Sequence, residues 1–371
     1  MRRAIERDLR HQVGQFLWIG FRGTTVTRPL ASLLRRVRPG GIILFGRNIE
    51  SAIQVRKLTD AIYGSASIPP FIAIDQEGGR VNRLRAIVGP SLSNHALARS
   101  RHPAAAVRLH AWATSLALRS LGFNVNFTPV LDLSGPRRRN GIGDRSFGTD
   151  PLSVAGHARR VIRAHLTAGI IPVGKHFPGL GEARQDTHVA LPVIRRSRRG
   201  LIGREIEPYR LLRAALPMVM VGHACYPALQ GDLAAPASLS HAVVSGCLRD
   251  QIGYRGLILT DDLEMGAIGV DTAVGDRVRE AFAAGHDGLM FCQSEEHITA
   301  ALETLIEGLH LGELDAGEAR QRLRRIARVK ERFLQRVRRP RYSAASVARA
   351  RAMFASMAPA AHTGFDPTAR A

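Results

Sequence analysis

The stretch IIPVGKHFPGLGEARQDTH, residues 170–188, decides the fold. Its apolar first part ends where Lys175 and His176 begin, so a buried strand delivers two polar groups to its own C-terminal end. Pro178, Gly179 and Gly181 then stop any helix and leave a loop that gathers charge and proton-transfer capacity. Seven further short apolar runs can be marked outward from this one, so that the full series is 16–19, 41–45, 71–74, 125–127, 171–174, 218–222, 257–260 and 288–291. Helical patterns lie between most of them, at 52–63, 94–121, 151–168, 201–215, 241–251 and 276–284, with 298–308 and 314–336 following the last run. Such alternation favours a parallel sheet, and eight units within about 300 residues fit a closed (β/α)8 TIM barrel better than an open doubly wound sheet. The expectation is a single α/β domain over residues 1–336, followed at 337–371 by a basic, small-residue-rich C-terminal extension, helical in part and otherwise a loose tail. No glycine fingerprint for a dinucleotide follows the first run.

Composition narrows the class. The chain has 371 residues, 45% of them hydrophobic, enough for a large core. Cys225, Cys247 and Cys292 are odd in number, far apart and without metal-ligand spacing, which points to a reducing compartment and to neither a disulfide framework nor a zinc site. Arg2 and Arg3 are followed at once by Glu6 and Asp8, the apolar stretch after them is too short for a signal-peptide core, and no stretch is long and apolar enough to span a bilayer. The expectation is a monomer in the cytoplasm. The formal charge of +22 is nearly all arginine, but the arginines are scattered over loops and helix faces, aromatics are 5%, and no nucleic-acid-binding signature is present. Neither nucleic-acid binding nor membrane insertion is expected.

In a barrel of this kind functional groups sit at the C-terminal ends of the strands. Read that way, the third run ends in Asp75, the fourth leads to Asp132, the fifth gives Lys175 and His176, the sixth His223, and the seventh Asp261 and Asp262. Five neighbouring strands each supply an ionisable group to one rim. Asp132 and Asp262 could equally cap the following helix. Gly78 and Gly79 let Arg80 and Arg83 curl back over the rim, and the glycines of GIGDRSFG do the same for Asp144 and Arg145; one member of each pair is expected to brace its loop. A rim of carboxylates, lysine, arginines and histidines, without a phosphate loop or a metal cluster, suits hydrolysis of a polyhydroxylated substrate. Cleavage of a glycosidic bond needs a carboxylate near the anomeric carbon and a group that protonates the leaving oxygen. Asp261 and the Asp186/His188 pair have that chemistry, since one intervening residue on an extended loop points both side chains to one side and the carboxylate can fix the imidazole. Asp-Thr-His could also be a simple loop tie.

The motifs DQEGGRVNRLR, NFTPVLDL, GDRSFG, KHFPGLG with the following DTH, and TDDLEMGAI, in that order, resemble the family 3 glycoside hydrolases, and most of all their one-domain bacterial β-N-acetylglucosaminidases of peptidoglycan recycling. The likeness covers about residues 10 to 335. It implies a TIM barrel that removes terminal N-acetylglucosamine from 1,6-anhydro-muropeptides with retention of configuration and no cofactor or metal. By residue match it implies Asp261 as nucleophile, His188 as general acid/base and Asp186 as the group that orients it. Asp75, Arg83, Arg145, Lys175 and His176 match positions that hold the sugar hydroxyls and the N-acetyl group. Leu180 departs from the pattern, standing where the family usually has histidine, and Glu182 fills a position that is commonly small or aspartate. Three rivals stay open: another family 3 activity, either a β-glucosidase or a phosphorylase; a barrel aldolase with a Schiff base on Lys175; and a catalytically dead arginine-rich binding barrel.

Overall fold

In a computed structural model of the chain, which describes residues 9, 11–135, 141–183, 190–231, 235–269, 272–335 and 340–357, eight parallel strands close into a barrel. They are β1 (Leu17–Ile19), β2 (Gly41–Leu44), β3 (Phe71–Ile74), β4 (Val125–Asn126), β5 (Ile171–Phe177), β6 (Met218–Val221), β7 (Leu257–Asp262) and β8 (Gly288–Phe291). Each pairs with its neighbours in sequence, and β8 pairs with β1 to complete the ring. This is the (β/α)8 TIM barrel that the alternation predicts.

Room inside the ring is made by glycine. The Trp18 indole stacks on Phe71 with centroids 5.2 Å apart and lies 6.1 Å from Phe127. A Cβ at Gly41 would come within 2.3 Å of that indole and one at Gly288 within 2.6 Å of its nitrogen. The first residues of β2 and β8 are therefore glycines because one bulky side chain from β1 takes the space of several.

β5 departs from its expected bounds in a way that matters for the site. The apolar run stops at Gly174, but the strand continues through Phe177, with a register shift against β6 between Gly174 and Phe177. Lys175 holds its place by donating its N–H to the Pro129 carbonyl and accepting from Leu131. Lys175 and His176 thus belong to the strand rather than to the loop after it. β4 is shorter than expected, and the Asn126 side-chain amide replaces ladder bonds by accepting from the Gln76 N–H and donating to its carbonyl, both at 3.0 Å.

Prolines account for most differences among the helices. The pattern over 94–121 is broken into Asn94–Ala98 and Pro103–Ser120, and that over 201–215 into Arg198–Gly203 and Glu207–Leu212, each second helix carrying proline in its first turn. Within the extension expected to be helical in part, the segment 340–357 holds the helix Ala344–Met357, which buries Val347, Ala350 and Phe354. The stretch 336–339 and the residues after 357 lie outside the described residues.

At the opposite end of the barrel from the site, Lys330 is buried beneath β3, its ammonium 2.6 Å from Gln15 Oε1 and 5.2 Å from the Phe71 ring centroid. Burial pulls its pKa down to about 7 from an ordinary 10.5. The unfolded chain therefore binds a proton that the folded chain lacks between pH 7 and 10.5, and stability rises with pH across that window. Lys330→Met should stabilise the protein at pH 6, by up to about 5 kcal/mol, and confer no gain above pH 10.5. Urea melts at the two pH values check this: an equal gain at both would show that packing, not the charge, is responsible.

Candidate active site

The rim is assembled around a carboxylate that sequence reasoning passed over. Asp75 follows β3, and the chain then forms a short hairpin, Gln76–Gly78 against Val81–Asn82. Gln76 fastens this hairpin by donating to Asn82 Oδ1 at 2.9 Å and accepting from the Leu84 N–H at 3.0 Å. Glu77 is thereby held beneath the rim with its side chain 1% exposed. Arg145 grips it with both arms of the guanidinium, Nε to Oε2 at 2.9 Å and Nη2 to Oε1 at 2.8 Å. Lys175 Nζ lies 2.7 Å from Glu77 Oε1 and also donates to Asp75. The signal was present in DQEGG: residues two apart on an extended backbone share a face, so Asp75 and Glu77 point the same way.

Burial alone would raise the Glu77 carboxyl, but Arg145 and Lys175 override it and hold the group far below its ordinary 4.5. Burial likewise works against charge on Lys175, and Asp75 and Glu77 more than offset it, so its pKa is raised. Arg145 is raised for the same reason, burial being outweighed by Glu77. All three groups keep their charges at neutral pH. A lysine locked as an ammonium is unsuited to Schiff-base chemistry, which needs the free amine.

His176 is set by Asp132, the residue for which capping and site roles were both open. Asp132 accepts from the His176 N–H at 3.3 Å, from its ring Nδ1 at 2.7 Å and from the Leu180 N–H at 2.6 Å. Asp132 takes donors on both oxygens, so Nδ1 of His176 carries the proton, and Nε2, 3.5 Å from an Arg145 nitrogen, is left to accept. Asp132 is therefore a clamp for the end of β5. Leu180 is buried and packs beside Gly222, where a Cβ would meet it at 3.3 Å. Apolar packing stands where the family pattern has an imidazole. Glu182 meets Arg196 at 3.2 Å.

The braces can now be told from the reaching residues. Arg80 donates to the carbonyls of Gly141 and Ile142 at 2.6 and 2.9 Å and pairs with Asp144 at 3.3 Å. Arg80 and Asp144 tie the two loops together, while Arg145 turns inward and Arg83 is buried.

Two strands round the ring from Lys175, β7 presents Asp261 and Asp262, both residues partly exposed but with the Asp262 carboxyl turned into the protein. Asp261 Oδ1 accepts from the Asp262 N–H at 2.9 Å, and Asp262 Oδ1 from the Glu264 N–H at 3.1 Å, a local turn rather than a helix cap. Burial, with Glu264 and Asp261 nearby, pushes the Asp262 carboxyl up to about 7. His223, fully buried after β6, places Nε2 2.9 Å from the Asp262 carbonyl and Nδ1 2.7 Å from the Ser238 hydroxyl. A carbonyl only accepts, so Nε2 bears the proton and the imidazole props the backbone next to Asp261. Of the residues singled out in the sequence, Asp75, Arg145, Lys175 and His176 are brought together through Glu77 and Asp132, and Asp261 lies on the same rim. Asp186 and His188 lie outside the described residues. Among the described residues no cluster of His, Cys, Asp or Glu could hold a metal ion, and no helix is long and apolar enough to cross a membrane.

The profile of the Glycosyl hydrolase family 3 N terminal domain matches residues 8–329. The chain belongs to glycoside hydrolase family 3. Within family 3 it is similar to a protein named Beta-hexosaminidase from Alkalilimnicola ehrlichii, 38% identical over 295 residues that span 78% of this chain and 84% of the relative. A Beta-hexosaminidase from Thioalkalivibrio sulfidiphilus is 36% identical over 298 residues, 76% of this chain and 82% of the relative. Among solved structures, a family 3 beta-N-acetylglucosaminidase from a Paenibacillus species superposes with a TM-score of 0.87 at 31% identity, covering 94% of this chain and 68% of that one. A family 3 member from Mycobacterium smegmatis superposes with a TM-score of 0.78 at 35% identity, covering 86% and 96%.

Proposed function

We propose that this family 3 chain is a retaining exo-β-N-acetylglucosaminidase that releases terminal N-acetylglucosamine from peptidoglycan-derived 1,6-anhydro-muropeptides in the cytoplasm, through a covalent glycosyl intermediate on Asp261. Hexosaminidase activity is supported by relatives of that name along most of the chain and by the β-N-acetylglucosaminidase fold neighbour. The observation that carries the mechanism is a rim on which Asp261 lies at the C-terminal end of β7 while Lys175, on β5 two strands away, joins Asp75, Glu77 and Arg145 in a fixed charged floor. Asp261 attacks the anomeric carbon as the glycosidic bond breaks. His188, oriented by Asp186, gives its proton to the leaving oxygen, then takes one from the water that frees the sugar. Asp75 and Lys175 hold sugar hydroxyls, with Arg83, Arg145 and His176 completing the pocket for the ring and its N-acetyl group. Because Glu77 holds Arg145 and Lys175 and Asp132 holds His176, substrate binding need not reorganise those three side chains.

Purified protein should cleave p-nitrophenyl N-acetyl-β-glucosaminide much faster than the corresponding glucoside, with the same product whether or not phosphate is present. Mass spectrometry of muropeptides should show loss of one N-acetylhexosamine. Faster glucoside cleavage would remove the substrate assignment, and a sugar 1-phosphate product would replace hydrolysis by phosphorolysis.

A further inference from the structure

The helix Ala344–Met357 lies beyond the segment matched to the family profile, which ends at residue 329, and it touches the loop that carries Glu77 at two points. The first runs through a ring contact. Phe354 is 1% exposed and meets the His110 ring edge-on, with centroids 5.2 Å apart. His110 also lies close against Gly78, the residue after Glu77: a Cβ at Gly78 would stand 2.7 Å from His110 Nε2 and 2.5 Å from the Leu92 carbonyl. With Gly78 at φ +102, a backbone conformation that disfavours side chains, the hairpin has no slack on that flank.

The second contact grips the far end of the same loop. Arg351 donates from Nη2 at 2.6 Å and from Nε at 3.1 Å to one acceptor, the Ile87 carbonyl. Ile87 belongs to the single turn Arg85–Val88, tied to the hairpin by the Leu84 N–H on Gln76 and by Asn82 Nδ2 on the Gly89 carbonyl at 3.0 Å. The start of the helix is itself fastened, Ser343 and Ser120 exchanging two hydrogen bonds of 3.0 Å. A bidentate carboxylate–guanidinium pair is sensitive to small displacements, so anything that sets the hairpin also sets the Glu77 contacts.

We propose that the helix Ala344–Met357 is a positioning element of the active site, holding the loop after β3 through Phe354 on His110 and Gly78 and through Arg351 on Ile87, so that Glu77 stays in register with Arg145 and Lys175. This rests on the reading that Asp75 and Lys175 hold the sugar. Slackening the loop lets the floor of the sugar pocket shift, and the loss falls on substrate binding rather than on the attack by Asp261.

Arg351 is exposed, and replacing an exposed residue ordinarily leaves stability almost unchanged. Arg351→Met should therefore raise KM for p-nitrophenyl N-acetyl-β-glucosaminide roughly tenfold at nearly constant kcat and an unaltered urea midpoint. Arg351→Lys, which keeps one donor, should recover part of it. Phe354→Ala should act in the same direction wherever it folds. In a Glu77→Gln background Arg351→Met should add nothing, because the group it positions is gone. A penalty that multiplies in the double variant, or a KM change that follows the loss of folded protein, would overturn the clamp alone. If Glu77→Gln leaves KM as it was, the reading of the sugar site falls, and the clamp with it.

Discussion

Asp261→Asn should lower kcat by roughly 10⁴-fold or more while the protein folds normally and still binds N-acetylglucosamine. The isosteric amide keeps the acceptor oxygen that the Asp262 N–H uses, so the end of β7 has no reason to move. What it loses is the negative charge and the lone pair that would form a bond to the anomeric carbon, and losses of that size follow when a group acting as one unit with its partners is removed. Asp262 cannot substitute. Its carboxyl is raised to about 7 by burial and the neighbouring acids, its Oδ1 is turned back to the Glu264 N–H, and near neutral pH a large fraction of it is protonated. Activity within tenfold of the wild type would remove Asp261 from the mechanism. The leaving group separates this residue from the acid: Asp261→Asn should be equally damaging for nitrophenyl and for sugar aglycones, whereas His188→Ala should lower kcat/KM most for sugar aglycones and least for nitrophenol, which departs without a proton. A matching pattern in the two variants would mean that one of the roles is misassigned.

The barrel was legible because buried parallel strands read as unbroken apolar runs, and the residue that ends each run is delivered to one rim. The helix Arg28–Val37 could also have been marked, since Leu30, Leu33, Leu34 and Val37 repeat at helical spacing behind a Thr27 cap. The extension was harder. In Ala344–Met357 the buried stripe is Val347, Ala350 and Phe354, too thin to mark where the expected helix lies until a second alanine-rich helix, Pro103–Ser120, offers it a flat surface. Least legible was the floor of the site. Sequence placed Asp75, Lys175 and Arg145 on one rim, but the choice of which carboxylate each cation meets is made by the bend after Asp75 and by the continuation of β5 past Gly174, both products of tertiary packing. Glu77 looked like a loop residue because burying an acid is costly, and only the cations beside it make that burial tolerable.

The cost of burial should make the loss of Glu77 strongly destabilising. Glu77→Leu fills the space yet strands the Arg145 guanidinium, which is 8% exposed, without its carboxylate, and leaves the buried Lys175 with Asp75 alone. Removing one partner of a buried pair in this way costs about 3–5 kcal/mol, more than the pair itself contributes relative to an apolar replacement of both. The pH dependence separates this cause from a packing fault. Glu77 is held well below its ordinary 4.5 in the folded state, so its ionic contribution is complete above pH 4.5 and is lost as pH falls toward the folded value. The stability gap between wild type and Glu77→Leu, measured by urea melts, should be constant from pH 6 to 8 and should narrow steadily below 4.5. A gap that stays the same down to pH 3 would mean that Leu is poorly accommodated there for reasons of shape, and that the charges on Lys175 and Arg145 are balanced by something other than Glu77.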